Sequence, residues 1–168
     1  SALHTARLLA KHQAFSPDAA RGALRRLAIE VLETAHDAEQ LRRAWLALEP
    51  ADRRDPIVAA RAATRAAAAG APADGRAWLA PLWDRLTELA PEDRQAVAVA
   101  LCGAASGVDI DWLPRAESAA AALPAEPAIA AAAGMVFAER QLWGKARRLL
   151  EGAAASPALD GSTRRRCW

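Results

Sequence analysis

Tyrosine is absent from this 168-residue chain, phenylalanine occurs twice and methionine once. Strands draw on aromatic and β-branched side chains, so this shortage excludes a sheet-dominated fold. Cysteine is nearly as scarce: Cys102 and Cys167 stand far apart with no CxxC spacing, which excludes a disulfide framework or a paired-cysteine metal site and suits a reducing compartment. The only histidines are His4, His12 and His36, and none lies one helical turn from another or from a cysteine, the spacing a metal site on a helix uses. Long apolar runs are missing too. The stretch from Ala128 to Ala138 ends in Glu139-Arg140, short of the roughly 18 to 20 residues that cross a bilayer, so the chain by itself reads as soluble. Nor does one sign of charge prevail. The formal net charge is +2, with acids and bases interspersed, which leaves no electrostatic footprint for nucleic acid. The one basic run, Arg164-Arg165-Arg166, reads as the solvated first turn of a helix.

Alanine fills the space instead, 48 residues of it, with leucine, arginine and six tryptophans. Alanine is the best helix former but offers little volume, so stability is expected from close helix approach and a few large anchors. Prolines followed by helical patterns recur at Pro17, Pro56, Pro91 and Pro127, spaced 39, 35 and 36 residues apart, a period of paired-helix repeats. Proline suits the first turn of a helix, where its missing N–H has no partner to lose. Ser16 and Asp55 precede two of these prolines as N-caps, and Glu92-Asp93 follow a third, where the helix dipole favours acids.

These signals predict helices over 3–14, 17–35, 38–49, 56–69, 76–90, 92–105, 111–123, 127–139 and 141–155, with a stub at 160–168. The expected fold is all-α: a single domain of about eight helices in tandem antiparallel hairpins at 17–49, 56–90, 92–123 and 127–155, stacked as a solenoid. Pro81 falls inside a predicted helix and should kink it or shift its start. Neither end carries the polar capping helix of a finished array, so the chain is expected to be a fragment of a longer one.

The hairpin from Pro127 fits the tetratricopeptide (TPR) pattern, in which small residues at repeat positions 8 and 20 let two helices approach. Counting Pro127 as position 1 puts Gly134 at 8, Phe137 at 11, Ala146 at 20 and Leu150 at 24. The same register from Pro91 gives Ala98 and Leu101, and from Pro56 it gives Ala63 and Ala66, for positions 8 and 11. First helices of such hairpins line a concave surface. Carried over from that architecture, the partner-facing positions are Arg21, Arg25, Thr64, Gln95, Val99, Met135 and Glu139, a mixture able to hold an extended or helical peptide with some acidic character.

No phosphate-cradling glycine pattern, nucleophile elbow or His-Asp-Ser arrangement occurs, so no catalytic activity is expected. Asp109 and Asp111 read as N-terminal acids of the helix carrying Trp112. No cofactor and no metal is called for, and no haem ligand can be named; porphyrin binding in a tryptophan-lined apolar cleft stands as an alternative.

The segment Arg140-Gln141-Leu142-Trp143-Gly144-Lys145-Ala146-Arg147, followed by Leu149-Leu150-Glu151, closely resembles a stretch in the TPR region of the HemY family, bacterial inner-membrane proteins associated with late haem and porphyrin synthesis. Leu41-Arg42-Arg43-Ala44-Trp45, Arg54-Asp55-Pro56, Ala59-Ala60 and Trp83-Asp84 look like HemY segments in the same order. The resemblance implies a parent anchored by two membrane spans near its N-terminus, with this part on the cytoplasmic side of the bacterial inner membrane. It implies a scaffold or regulator whose partners are proteins, enzymes of late porphyrin synthesis among them. A general peptide-binding TPR module in another envelope assembly is the rival reading. An oxidase activity is not implied, because the dinucleotide-binding fingerprint is missing. Within the motif, Trp143 is expected to pack on the next repeat and Gly144 to relieve crowding in the hairpin.

Overall fold

The computed structural model describes residues 2–5, 8 and 16–168. Every regular element among them is helical. In chain order the helices are α1 (Pro17–Glu33), α2 (Ala38–Ala47), the single turn α3 (Pro50–Arg53), α4 (Pro56–Ala68), α5 (Pro72–Trp83), α6 (Pro91–Gly103), α7 (Trp112–Ala122), α8 (Pro127–Glu139), α9 (Trp143–Ala154) and α10 (Gly161–Arg166). A 3-10 turn at Leu86–Glu88 links α5 to α6. Of the helix expected over 3–14, residues 2–5 and 8 are helical, and the rest, with His12, lies outside the described residues.

Local chemistry sets most boundaries. Ser16 caps α1 by accepting from the Ala19 amide at 3.1 Å, and Asp55 caps α4 by accepting from Ile57 and Val58. Asp37 accepts from Gln40 N while Gln40 accepts from His36 N, a reciprocal box that satisfies two donors at the start of α2. Two expectations need correction. The helix predicted over 76–90 begins at Pro72 and ends at Trp83, because Pro72 opens it as a first-turn proline and Pro81 is accommodated in its final turn. The stretch 50–52, read as a turn, starts the extra helical turn α3 on Pro50.

The hairpins α4/α5 and α8/α9 reverse through the same device. At the end of α4, Gly70 has φ 80° and Ala71 N donates back to Ala66 O at 2.8 Å. At the end of α8, Gln141 has φ 62° and Leu142 N donates to Phe137 O at 2.8 Å. A residue in the left-handed region ends both helices and satisfies their last carbonyls. Gln141 occupies that position without being glycine, so α9 starts at Trp143 rather than 141.

Packing builds a row of first arms: α1 lies on α4, α4 on α6, and α6 on α8. The helix α5 closes on α4 and α9 closes on α8, but α6 and α7 barely approach, and α7 lies on α8 instead. The hairpin expected at 92–123 is thus open. Alanines fill the row, with Ala59, Ala62, Ala63, Ala66, Ala98, Ala131, Ala132 and Ala133 fully buried. Tryptophans fill the wider gaps: Trp45 stacks on Trp78 at 4.8 Å, and Trp83 meets Trp112 edge-on at 6.1 Å while its indole N–H donates to Arg115 O.

Polar contacts join each stretch of chain to one about 30 residues away. Arg25 binds Asp55, Arg61 binds Glu33, Arg42 binds Asp74, Arg94 binds Glu126 and Arg115 binds Asp84. Their sequence separations run only from 28 to 32 residues. Arg25 and Arg94 each reach the acid just before the proline of the next arm, Asp55 and Glu126. The ion pair therefore fixes the start of one arm against the body of the previous one.

Candidate binding surface

Four of the seven candidate positions divide between two grooves, and the other three lie elsewhere. Arg21 and Arg25 line a groove of about 590 Å³ at the N-terminal ends of α1 and α4, together with Arg54, Arg85, Glu88 and Asp93. Arg25 is committed there to Asp55, with its Nε 3.0 Å from one carboxylate oxygen. Arg21 is exposed and makes no ion pair among the described residues. Arg85 donates to the Arg54 carbonyl at 3.3 Å, which turns its guanidinium along the same rim.

Thr64 and Val99 belong to the second place, a groove of about 430 Å³ between α4, α6 and the segment that carries Asp160, Thr163 and Arg166. Gln95 lies next to it, lining a space of about 190 Å³ with Ile129 and Leu159. Met135 is buried, at 9 % exposure, so its side chain faces the interior. Glu139 is exposed but accepts a hydrogen bond from Gly107 N at 3.1 Å, which ties α8 to the loop after α6. The structure therefore does not join all seven into one stripe, and it uses Arg25, Met135 and Glu139 for packing or for joining neighbouring arms.

The Gln141–Arg147 motif is a hairpin corner. Gln141 makes the turn, and Ala146 is buried against α8, while Lys145 pairs with Glu117 and lies 5.5 Å from the centre of the Phe137 ring. Arg147 pairs with Glu151 one turn on. Leu142 is exposed, Trp143 is 64 % exposed and Gly144 has open space where a Cβ would stand. The expectation that Trp143 packs on a neighbouring repeat and that Gly144 relieves crowding is corrected accordingly: the close approach in this hairpin is made at Gly134, where a Cβ would meet Leu150 Cγ at 2.8 Å.

Several important residues carry no advance signal in the sequence. Arg76 is buried and donates to the carbonyls of Ala104 at 2.8 Å, Ser106 at 2.6 Å and Gly107 at 3.3 Å, closing the end of α6 and the loop after it. Desolvation by its surroundings lowers the Arg76 pKa from its ordinary value. The two cysteines, remote in sequence, lie on the two sides of the α6–α10 contact, and both are buried. Burial pushes the Cys102 thiol up to about 12, with nearby Cys167 adding to the rise. Burial also raises Cys167. Asp160 caps α10 by accepting from the Thr163 amide and hydroxyl, which lowers its carboxyl pKa.

Among the described residues, no group of three or more His, Cys, Asp or Glu is placed to hold a metal ion, and no helix is long and apolar enough to cross a membrane. No family model, curated protein or solved structure matches the chain.

Proposed function

We propose that the chain is a non-catalytic, TPR-like scaffold that holds a protein segment of partly acidic character in the groove beside Arg21, Arg54 and Arg85. The observation that carries this reading is the groove itself: several charged side chains line it, and neither Arg21 nor the Arg54 guanidinium has an ion-pair partner among the described residues. The guanidiniums of Arg21, Arg54 and Arg85 suit carboxylates and backbone carbonyls of an incoming segment, while Glu88 and Asp93 on the same groove suit its basic side chains. The repeat-like spacing of the polar contacts supports the TPR part of the reading. So does the close approach at a glycine in both closed hairpins, Gly75 against Ala63 and Gly134 against Leu150.

The HemY resemblance extends the proposal to a setting, the assembly or regulation of late porphyrin enzymes at the bacterial inner membrane by a membrane-anchored parent. Direct porphyrin binding is less favoured, because Trp45, Trp78, Trp83 and Trp112 are spent on packing between helices. The test is a pull-down from membranes with the full-length parent, in wild-type form and as Arg21→Ala/Arg54→Ala. Enrichment of porphyrin enzymes that the double variant loses is the expected result. Partners from another assembly, lost in the same way, would retain the scaffold and replace its setting, and capture indifferent to the double variant would overturn the groove.

A further inference from the structure

The groove beside Arg21 crosses the row of first arms instead of following one helix. It touches α1 at Arg21, the start of α4 at Arg54, the 3-10 turn at Arg85 and Glu88, and the start of α6 at Asp93. Its charges are sorted along that line. Arg21 and Arg54 stand on the α1 and α4 side, and Arg85 joins them because its guanidinium donates to the Arg54 carbonyl at 3.3 Å. Arg25 and Asp55 neutralise each other at 3.0 Å. Glu88 ends the turn that leads to α6 and Asp93 lies in the first turn of α6; neither has an ion-pair partner among the described residues. Asp52, the remaining charged residue of the groove, is buried at 5 % exposure.

We propose that this groove recognises an extended protein segment of about six residues whose charges are separated, acidic at the end over α1 and α4 and basic at the end over α6. The inference rests on the scaffold reading and deepens it by giving the partner segment a conformation, a length and a charge order. The length follows from the row of arms. From α1 to α6 is two helix-to-helix steps of about 9 Å each, which five or six extended residues cover at ~3.3 Å apiece. A helix would need about twelve residues to span that distance at ~1.5 Å apiece, and an apolar stripe to lie on. The largest apolar side chains of the groove are Leu24 and Leu89, both half-buried, too few for such a stripe. An extended segment also keeps its backbone carbonyls free for the arginine donors. The charge order follows from the sorting of the groove: a uniformly acidic segment would set carboxylates against Glu88 and Asp93, and like charges facing each other cost affinity.

Three fluorescent hexapeptides test the order. One carries a pair of aspartates at one end, a pair of lysines at the other and alanines between; the second has the same composition with alternating charges; in the third, aspartates replace the lysines. Anisotropy titrations at low ionic strength are expected to give roughly fivefold tighter binding of the charge-separated peptide than of either other one. Glu88→Gln/Asp93→Asn should bring the all-acidic peptide level with it, and Arg21→Ala/Arg54→Ala should weaken both. Because preference is a ratio between peptides, loss of folded chain does not imitate it. Equal affinity for the charge-separated and alternating peptides, an unchanged preference in Glu88→Gln/Asp93→Asn, or no binding of any peptide would each overturn the proposal. The pull-down with Arg21→Ala/Arg54→Ala is read separately. Partner capture that still depends on those arginines while the peptides bind alike counts against the charge order alone, and capture indifferent to them counts against the scaffold reading.

Discussion

The helices α9 and α10 follow one another in the chain and each lies on a first arm, yet they are held in different ways. The α8/α9 contact closes at a glycine: a Cβ on Gly134 would lie 2.8 Å and 2.9 Å from Leu150 atoms and 3.2 Å from Leu149 Cβ. The α4/α5 contact is tighter still in kind, because a Cβ on Gly75 would lie 2.9 Å from the backbone oxygen of Ala63. At the α6/α10 contact the neighbour of Gly103 is the far end of the Arg166 side chain, and an open groove runs alongside. Backbone against small side chain gives an interface that cannot give way without moving a helix; a flexible guanidinium over a groove gives one that can. The first kind fixes two helices against each other, and the second leaves one flexible side chain room to shift.

The largest expected effect lies in the closed hairpins. Gly75→Val forces two methyl groups and a Cβ against the Ala63 backbone and should destabilise the chain by about 3 kcal/mol, the upper part of the range for overpacking. For a chain of this size that lowers Tm by roughly 6 to 12 °C, read by far-UV circular dichroism. A loss under about 1 kcal/mol would mean that α4 and α5 can separate freely, and the contrast with α10 would collapse.

Arg76 ranks next, because it joins the two kinds of contact by closing the end of α6 on which α10 sits. Arg76→Met keeps much of the aliphatic volume and leaves the Ala104 and Ser106 carbonyls without their donor, so a loss of about 2 kcal/mol is expected. Amide exchange should rise first in residues 104–108 and at α10, with the α8/α9 hairpin protected to the global limit. Uniform acceleration across all helices would show that the α6 end is no separate unit.

Alkaline pH probes the α6/α10 contact itself. The folded chain holds the Cys102 proton up to about pH 12, while an unfolded cysteine releases it near pH ~8.5. Between those values the unfolded state binds fewer protons, so stability is level below pH ~8.5 and falls above it, by up to about 1.4 kcal/mol per pH unit. Denaturant midpoints measured from pH 7 to 10 should therefore decline, and Cys102→Ala should flatten the decline. A flat profile in the unsubstituted chain would place Cys102 in water, with α10 already away from α6.

The proline period was legible because first-turn proline and capping residues act locally, and the four long arms begin where Pro17, Pro56, Pro91 and Pro127 place them. The closed hairpin at α8/α9 was legible for a different reason, through the spacing of the small residues Gly134 and Ala146, both buried. Its counterpart at α4/α5 could have been found: Gly75 stands as far after Pro56 as Ala146 does after Pro127, but the glycines at 70 and 75 together read as one loop. Only Gly70 makes the turn. The open α6/α7 pair and the path of α10 were not legible, since both depend on contacts between remote residues, Arg76 with the 104–107 carbonyls and Thr163 with the Val99 face. The candidate surface suffered similarly. Repeat positions locate a face, but whether Arg25 faces a ligand or Asp55 depends on the acid that the next arm brings to it.

The smallest effect is the most discriminating. Gly103→Ala and Gly134→Ala make the same chemical change in helices of the same length, and each gains up to about 1 kcal/mol from the better helix former. At Gly134 the new Cβ meets Leu150 inside the closed hairpin and Leu149 Cβ behind it, so crowding should exceed that gain and leave a net loss of about 1 to 2 kcal/mol. At Gly103 only the Arg166 tip must move, by a few tenths of an ångström, because its nearest atom would lie at 3.3 Å. The guanidinium has solvent and groove to move into, and the net change should fall between zero and about 0.5 kcal/mol of stabilisation. Urea denaturation of the two variants beside the parent resolves a difference of that size. If Gly103→Ala proved as damaging as Gly134→Ala, the contact of α10 on α6 would be as closely built as the hairpin at this point.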